Sequence, residues 1–404
     1  MTLIFQHHRL DHLFREVKQT IPLAESELLT PSTVYGVVPQ SSLPSKPHQV
    51  MREGYEVHPA MPGDFVISMS SFLHGFEYCT RYGGISPDYT LLRPRFDEQI
   101  GRFLRYSLKS DFLIQQLTVF RNGIRQGQRL QWNRVRYVKI PVPDADAASV
   151  VADFLDCETA RIDQLIEKKR LFVTGVARRI EALVDQAISD ADVPRIRFEH
   201  LTHRVSRPVT LSEHDELVRL GLYNRGRGIF KKPAADEEGM GDSEFCFVEA
   251  GDLILSGQFA WEGAVAIATA EEEGCVVSHR YPVYRGKAGV STSYLLGLFR
   301  SSYGDFLLNE ASRGSAGRNR PLNIRRLGKE KIPVAGLALQ QAVEQAVDFE
   351  RRLKGKTEQS IARLEEFRAA LITAAVTGQI DVATWGKHSQ TDRRLDQIEE
   401  AMRA

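Results

Sequence analysis

The sequence predicts an α+β fold: two tandem mixed α/β units separated by two long antiparallel coiled-coil helices, in a pseudo-twofold layout. Three observations predict it. The chain repeats itself over nearly its whole length. The stretch that closes the first repeat has no Pro and only one Gly, Gly175. Apolar residues in both closing stretches recur at helical spacing.

The repeat is read residue against residue. Leu10-Asp11-His12-Leu13 resembles Phe198-Glu199-His200-Leu201, and Tyr35 falls on Tyr223. Gly63-Asp64-Phe65-Val66-Ile67-Ser68 falls on Gly251-Asp252-Leu253-Ile254-Leu255-Ser256, so 198 − 10 and 251 − 63 both give an offset of 188. A small insertion then moves the offset to 192, which pairs Ser86 with Ser278, Tyr89 with Tyr281, Leu130 with Leu322 and Lys139-Ile140-Pro141-Val142 with Lys331-Ile332-Pro333-Val334. One long period means two copies of one structural unit. Two copies on one chain mimic a symmetric dimer and suit a target with two halves.

Residues 1–143 form the first unit. Short β-like runs such as Phe65-Val66-Ile67-Ser68 and Tyr89-Thr90-Leu91-Leu92 lie between turn signals at Pro62-Gly63, Gly83-Gly84 and Ser86-Pro87. Helices are expected near 8–18 and 97–118. Residues 144–190 form the first spacer helix, with a stripe that includes Leu155, Ile162, Leu165, Phe172, Val176 and Leu183. Asp144 and Asp146 suit its positive N-terminal end. Residues 191–335 form the second unit, in which the acidic run 236–242 reads as a surface loop. Residues 336–378 form the second spacer helix, with Val347, Leu353, Ile361, Leu364 and Leu371 on its stripe and Gly378 as C-cap. Residues 379–404 read as a polar tail or frayed helix. Spacer helices of about 40–45 residues reach roughly 60–68 Å, too long to be buried in one such domain, so their stripes need each other or a partner.

Composition narrows the function classes. A chain of 404 residues, 42% hydrophobic and 26% charged, is an ordinary globular one with room for two or three cores. No run approaches the roughly 20 apolar residues that span a bilayer, and the N-terminus lacks the pattern of a signal peptide. Cys79, Cys157, Cys246 and Cys275 are scattered, which disfavours a zinc site or disulfide framework and favours a reducing cytoplasm. The net charge is only +1, yet its distribution is uneven. Residues 121–139 carry Arg121, Arg125, Arg129, Arg134, Arg136 and Lys139 without an acid. Residues 313–331 carry Arg313, Arg318, Arg320, Arg325, Arg326, Lys329 and Lys331 against Glu330 alone. Each copy thus has a basic segment at the same internal place.

The order of unit, long helix, unit, long helix resembles the DNA specificity (S) subunit of type I restriction-modification systems, over roughly residues 8–384. The resemblance is carried by Gly63-Asp64-Phe65-Val66-Ile67 leading to Gly84-Ile85-Ser86-Pro87-Asp88-Tyr89, by Lys139-Ile140-Pro141-Val142-Pro143 ahead of the first helix, and above all by Leu364-Glu365-Glu366-Phe367-Arg368-Ala369-Ala370-Leu371 running into Thr377-Gly378-Gln379-Ile380-Asp381. The second copy departs from the pattern at Val276-Val277-Ser278-His279-Arg280-Tyr281. The resemblance implies that each globular unit is a target recognition domain reading half of a split double-stranded DNA site. It implies that the helices set the gap between halves, and that the chain itself is not catalytic. It further implies two methyltransferase (modification) subunits docking on the spacer, joined by restriction motor-nuclease subunits. S-adenosylmethionine, ATP and Mg would sit on those partners, with no cofactor in this chain and no membrane involved.

A DNA reader needs cations on phosphates for affinity and Arg, Asn, Gln or Ser at base edges for discrimination. Arg121, Asn122, Arg125, Gln126, Gln128 and Arg129 supply these types in the first copy, and Arg313, Ser315, Arg318, Asn319 and Arg320 in the second. Gly123, Gly127, Gly314 and Gly317 allow close backbone approach. Either segment alone also reads as a solvated surface loop. A further set follows the Gly-Asp strand: Ser71 and His74 in the first copy, Gln258 in the second, with Arg81, His279 and Arg280 as similar candidates. Trp261 reads equally as a packing residue.

Catalytic motifs fail. There is no Asn- or Asp-Pro-Pro-aromatic tetrapeptide for DNA methylation. Gly355-Lys356-Thr357 lacks the leading Gly of a phosphate loop, since position 350 is Glu350. Asp144 and Glu167 lie roughly 34 Å apart along one helix, too far to share a metal. His7-His8 and His200-x-x-His203 lack a third ligand. Two rival readings stay open: a tandem scaffold for protein or RNA, and an enzyme with a hidden site.

Overall fold

The computed structural model describes residues 4–33, 35–43, 54–120, 130–241, 243–314, 320–385 and 390–403. The chain divides into two compact units, Met1–Lys168 with Glu358–Ala404 and Lys169–Thr357. Each unit therefore holds one globular part and one end of both long helices.

In unit 1, among the described residues, strand Phe5–Arg9 pairs antiparallel with Lys139–Pro143, tying the two ends of the globular part together. A four-stranded sheet runs in the order Phe14–Glu16, Tyr89–Pro94, Phe65–Ser68, Glu77–Tyr78. A five-stranded sheet runs Ile21–Pro22, Glu56–Ala60, Gly83–Ile85, Leu28–Ser32, Gly36–Pro39. Helices Glu98–Ser107 and Asp111–Thr118 pack on the first sheet, the second helix starting at Ser110, whose side chain accepts from Leu113 N. The expected helix at 8–18 shrinks to the single turn Leu10–Leu13. Beyond it Phe14–Glu16 is a strand, because its backbone pairs with Leu92–Pro94.

Unit 2 repeats the frame. Arg195–Arg197 pairs with Lys331–Pro333, and a four-stranded sheet runs Thr202–Val205, Val283–Gly286, Leu253–Leu255, Val265–Ile267. The frame hydrogen bonds recur at the predicted offsets. Leu10 N donates to Val138 O at 3.0 Å and Phe198 N to Glu330 O at 2.9 Å. Arg95 N donates to Leu13 O and Lys287 N to Leu201 O, both at 2.8 Å. The second sheets differ: in unit 2 the order is Gly228–Ala235, Leu217–Tyr223, Val276–Ser278, Phe245–Phe247. The acidic run is a helical turn, Glu237–Met240, rather than a plain loop. Asp236 caps it at Gly239 N, 2.9 Å, and Met240 is drawn into the core with Leu217 and Phe245.

The long helices are Ala145–Ser189 and Leu337–Val376. Asp144 Oδ1 accepts from Ala147 N at 2.9 Å and so caps the first. In unit 1 they run antiparallel: Val151 and Leu155 share the globular core with Ile372 and Val376, while Ile162 and Ile166 meet Leu364 and Leu371. In unit 2 Ile180, Val184 and Ala187 join Val343 and Val347 against Tyr294 and Leu298. The buried stripe is not quite the expected one. Leu165, Leu183, Leu353 and Ile361 are half-buried, and Phe172 is 56% exposed, touching Phe349 across the pair at 6.5 Å. Each helix packs on its globular part as well as on its partner. The buried face therefore widens beyond the expected stripe to include Ile166 and Val184.

The residues after Gly378 are not a free polar tail. Val382–Trp385 and Gln390–Arg403 are helical, and Leu395 and Ile398 close over Ile162, Ile166, Leu364 and Leu371. Arg161 forms an ion pair with Asp392, and Trp385 Nε1 donates to Thr391 Oγ1 at 2.9 Å. Among the described residues no helix is long and apolar enough to cross a membrane.

Candidate nucleic-acid interface

Arg121, Asn122, Arg125, Gln126, Gln128, Arg129, Ser315, Arg318 and Asn319 lie outside the described residues. Their flanks are anchored in the same way in both units. Leu130 N donates to Met69 O at 2.7 Å, and Leu322 N donates to Gly257 O at 2.8 Å. Each basic segment therefore returns to the turn that follows the Gly-Asp strand.

In unit 2 this turn gathers the candidates. Gly257 N donates to Arg280 O at 2.7 Å, so the neighbours of Gln258, Arg280 and Leu322 converge on one residue. A Cβ on Gly257 would lie 2.3 Å from Arg280 O, a contact only Gly avoids. Gln258, His279 and Arg280 are all exposed. Trp261 is half-buried and donates Nε1 to Gln258 O at 3.1 Å, while the Arg320 guanidinium lies 5.4 Å from its ring centre. A guanidinium held over an indole ring is a cation–π contact, and the planar guanidinium fork suits bidentate contact with phosphate or guanine. Arg313 is in an ion pair with Glu310, which also receives Arg326 Nη2 at 3.3 Å, so part of its charge is spent within the protein.

In unit 1 His74 and Arg81 come together on a cavity of about 690 Å³ shared with Tyr35, Arg105 and Lys109. Ser71 is exposed, with its N–H donating to Ser68 Oγ at 3.1 Å, and does not line that cavity. A second, open groove of about 790 Å³ is lined by Arg15, Lys18, Arg95, Gln131, Asn133 and Arg136, beginning where the chain re-emerges at Leu130. Arg9 and Arg136 both stack on Tyr137, at 4.5 and 4.7 Å. Arg136 also donates to Tyr137 Oη, and this bond pushes the pKa of its guanidinium up. Sequence reasoning missed this groove because its cations come from separate segments, 15–18, 95 and 131–136. The run Arg134 to Lys139 was its one visible signal.

The arrangement offers cations, side-chain amides and stacked guanidinium groups on open surfaces, which are the groups that grip phosphates and base edges. Among the described residues there is no group of three or more His, Cys, Asp or Glu able to hold a metal.

No family model and no curated protein sequence matches the chain. Solved structures do. A chain from the structure described as "Structural basis underlying complex assembly and conformational transition of the type I R-M system" aligns over 94% of this chain and 100% of its own, with a TM-score of 0.59 and 15% identity. The HsdS subunit from Thermoanaerobacter tengcongensis covers 93% of this chain and 97% of its own at a TM-score of 0.43 and 16% identity. The type I restriction-modification S subunit from M. genitalium covers 93% and 96% at 0.47 and 14%. This chain and the first of these share a fold.

Proposed function

We propose that this protein is a non-catalytic DNA-reading subunit of a type I restriction-modification system, recognising a double-stranded target in two separated halves. One observation carries the reading. The same frame is built twice, and a basic segment returns to the same turn in each copy, at Met69 and at Gly257. Unit 1 reads one half-site and unit 2 the other, with phosphate contacts supplying salt-sensitive affinity and base-edge contacts the sequence. The long helices act as the ruler between halves and as the platform for two methyltransferase subunits. Restriction motor-nuclease subunits join that assembly in the cytoplasm. S-adenosylmethionine, ATP and Mg belong to those partners. The shared fold with a chain of a type I R-M assembly supports this reading.

The test is selection of bound duplexes from a random library by the full chain with its modification subunits. Two short motifs at a fixed gap are expected. Deleting whole helical turns from both long helices should shorten that gap. A single motif, or preference for RNA, overturns the reading.

A further inference from the structure

We infer that the hairpin tip 223–228 is a second duplex contact in unit 2, whose Arg225 and Arg227 each neutralise a phosphate; the inference rests on the DNA-reading function proposed above. The strand Leu217–Tyr223 turns into Gly228–Ala235 through Asn224-Arg225-Gly226-Arg227. Arg225 has φ 59, the one positive value outside Gly among the described residues. A turn selected for stability alone places Gly or Asn at such an angle, since a Cβ there is strained.

The backbone of the tip is pinned from three directions. Arg225 N donates to Glu262 O at 2.8 Å and Gly226 N to Gly263 O at 2.7 Å. Lys354 Nζ, on the second long helix, donates to Arg227 O at 2.7 Å. Gly226 rests on Arg300, where a Cβ would come within 2.8 Å of Cγ, and Arg300 is itself held by Glu350 at 2.6 and 2.7 Å. The side chains are treated differently. Arg225 is exposed and makes no side-chain hydrogen bond or ion pair among the described residues. Arg227 is exposed, stacks on Tyr223 at 5.2 Å and donates only Nε, to Asn224 O, leaving its outer edge open. The acids facing the tip are Glu262, whose carboxylate is engaged by Asn224 Nδ2, and Asp305. A loop whose backbone is pinned while its guanidinium groups stay exposed is suited to anion contact rather than to packing.

The tip also continues the surface already described. Glu262 follows Trp261, on which Arg320 stacks, so the three arginines lie along one run of direct contacts. In unit 1 the matching strands are Leu28–Ser32 and Gly36–Pro39, and the sequence between them has no basic residue. The finger is therefore private to the second half-site.

The experiment measures binding of the full chain to a labelled random-sequence duplex by anisotropy over a salt series. Arg225→Gly and Arg227→Ala should each lower the slope of log K against log salt by about 0.9, and the double variant by about twice that. Arg225→Gly relieves the left-handed strain, so its melting temperature should hold or rise while affinity falls several-fold. Arg179→Ala, an exposed cation on the first long helix, should leave the slope unchanged. A double variant with the wild-type slope, or an equal loss with Arg179→Ala, overturns the hairpin contact and leaves DNA reading standing. A wild-type chain that binds duplex without salt dependence overturns both.

Discussion

Arg93 closes on Asp64 with one edge of its guanidinium, Nε at 3.0 Å and Nη2 at 2.8 Å, and at the same point of the second repeat Arg285 Nε meets Asp252 at 2.6 Å. Both carboxylates are fully buried. Each also accepts a backbone N–H from three residues upstream, Met61 and Glu249, at 2.9 Å. The pair ties the turn before one sheet strand to the neighbouring strand, and it explains why Gly-Asp recurs in the sequence. Asp64→Ala leaves Arg93 without its partner in a site where Arg93 is 18% exposed, and should destabilise unit 1 by about 3–5 kcal/mol. Chemical denaturation of the full chain measures this. Asp252→Ala should be milder at Arg285 and Arg207, because Glu249 remains within 3.1 and 2.8 Å of them.

Tyr106 and Arg102 dock the globular part of unit 1 on Asp156 of the first long helix. Burial pushes the Asp156 carboxyl up, but hydrogen bonds from Tyr106 and Arg102 outweigh it and hold the group below the ordinary carboxylate range. A folded-state pKa below the unfolded one adds stability above the unfolded value, lost as pH falls through the folded one. Stability should thus decline as pH drops below about 4, and Tyr106→Phe should flatten that decline. Identical acid limbs in both proteins would remove Asp156 from the account.

Gly257→Ala places a methyl group 2.3 Å from Arg280 O. Relieving it must part the turn from the 279–280 loop, costing about 1–3 kcal/mol. Duplex affinity should fall further than stability does, since Gln258, Arg280 and the return of the basic segment at Leu322 all move. Melting and anisotropy on the same variant separate the two effects.

Arg320→Ala removes the guanidinium stacked on Trp261. Loss of one good bidentate base contact would cost about 1–3 kcal/mol of discrimination at the second half-site and spare the first. Selected-duplex sequencing reads each half separately. An equal effect on both halves would refute the assignment of one half to each unit.

Leu395→Ala opens a gap over Ile162 and Leu364 and should cost about 2–5 kcal/mol. Hydrogen exchange should then show Gln390–Arg403 opening before the long helices do. Unchanged protection there would mean that the helix is held by Arg161–Asp392 and Trp385–Thr391 instead.

Much of this was legible in the chain. The offsets of 188 and 192 carry through to the Leu10 and Phe198 backbone bonds. The Pro-free stretches are helices. Other readings failed where a local pattern has two solutions. Leu10, Leu13, Phe14 and Val17 are spaced as on one helix face, yet pairing of Phe14–Glu16 with Leu92–Pro94 turns half of that stretch into strand. The closing residues look polar because Leu395 and Ile398 are few among charges, but those two suffice to seat a helix on an existing apolar seam.

The sequence by itself determined the duplication, the helical stretches and the two basic segments. Each depends on neighbours along the chain, where backbone period and composition act directly. Only the tertiary structure decided which distant groups meet: Arg93 with Asp64 across 29 residues, Arg320 on Trp261, and three segments at Gly257. Those meetings require loops to close and charges to be buried together, and no local spacing encodes which partner will satisfy them.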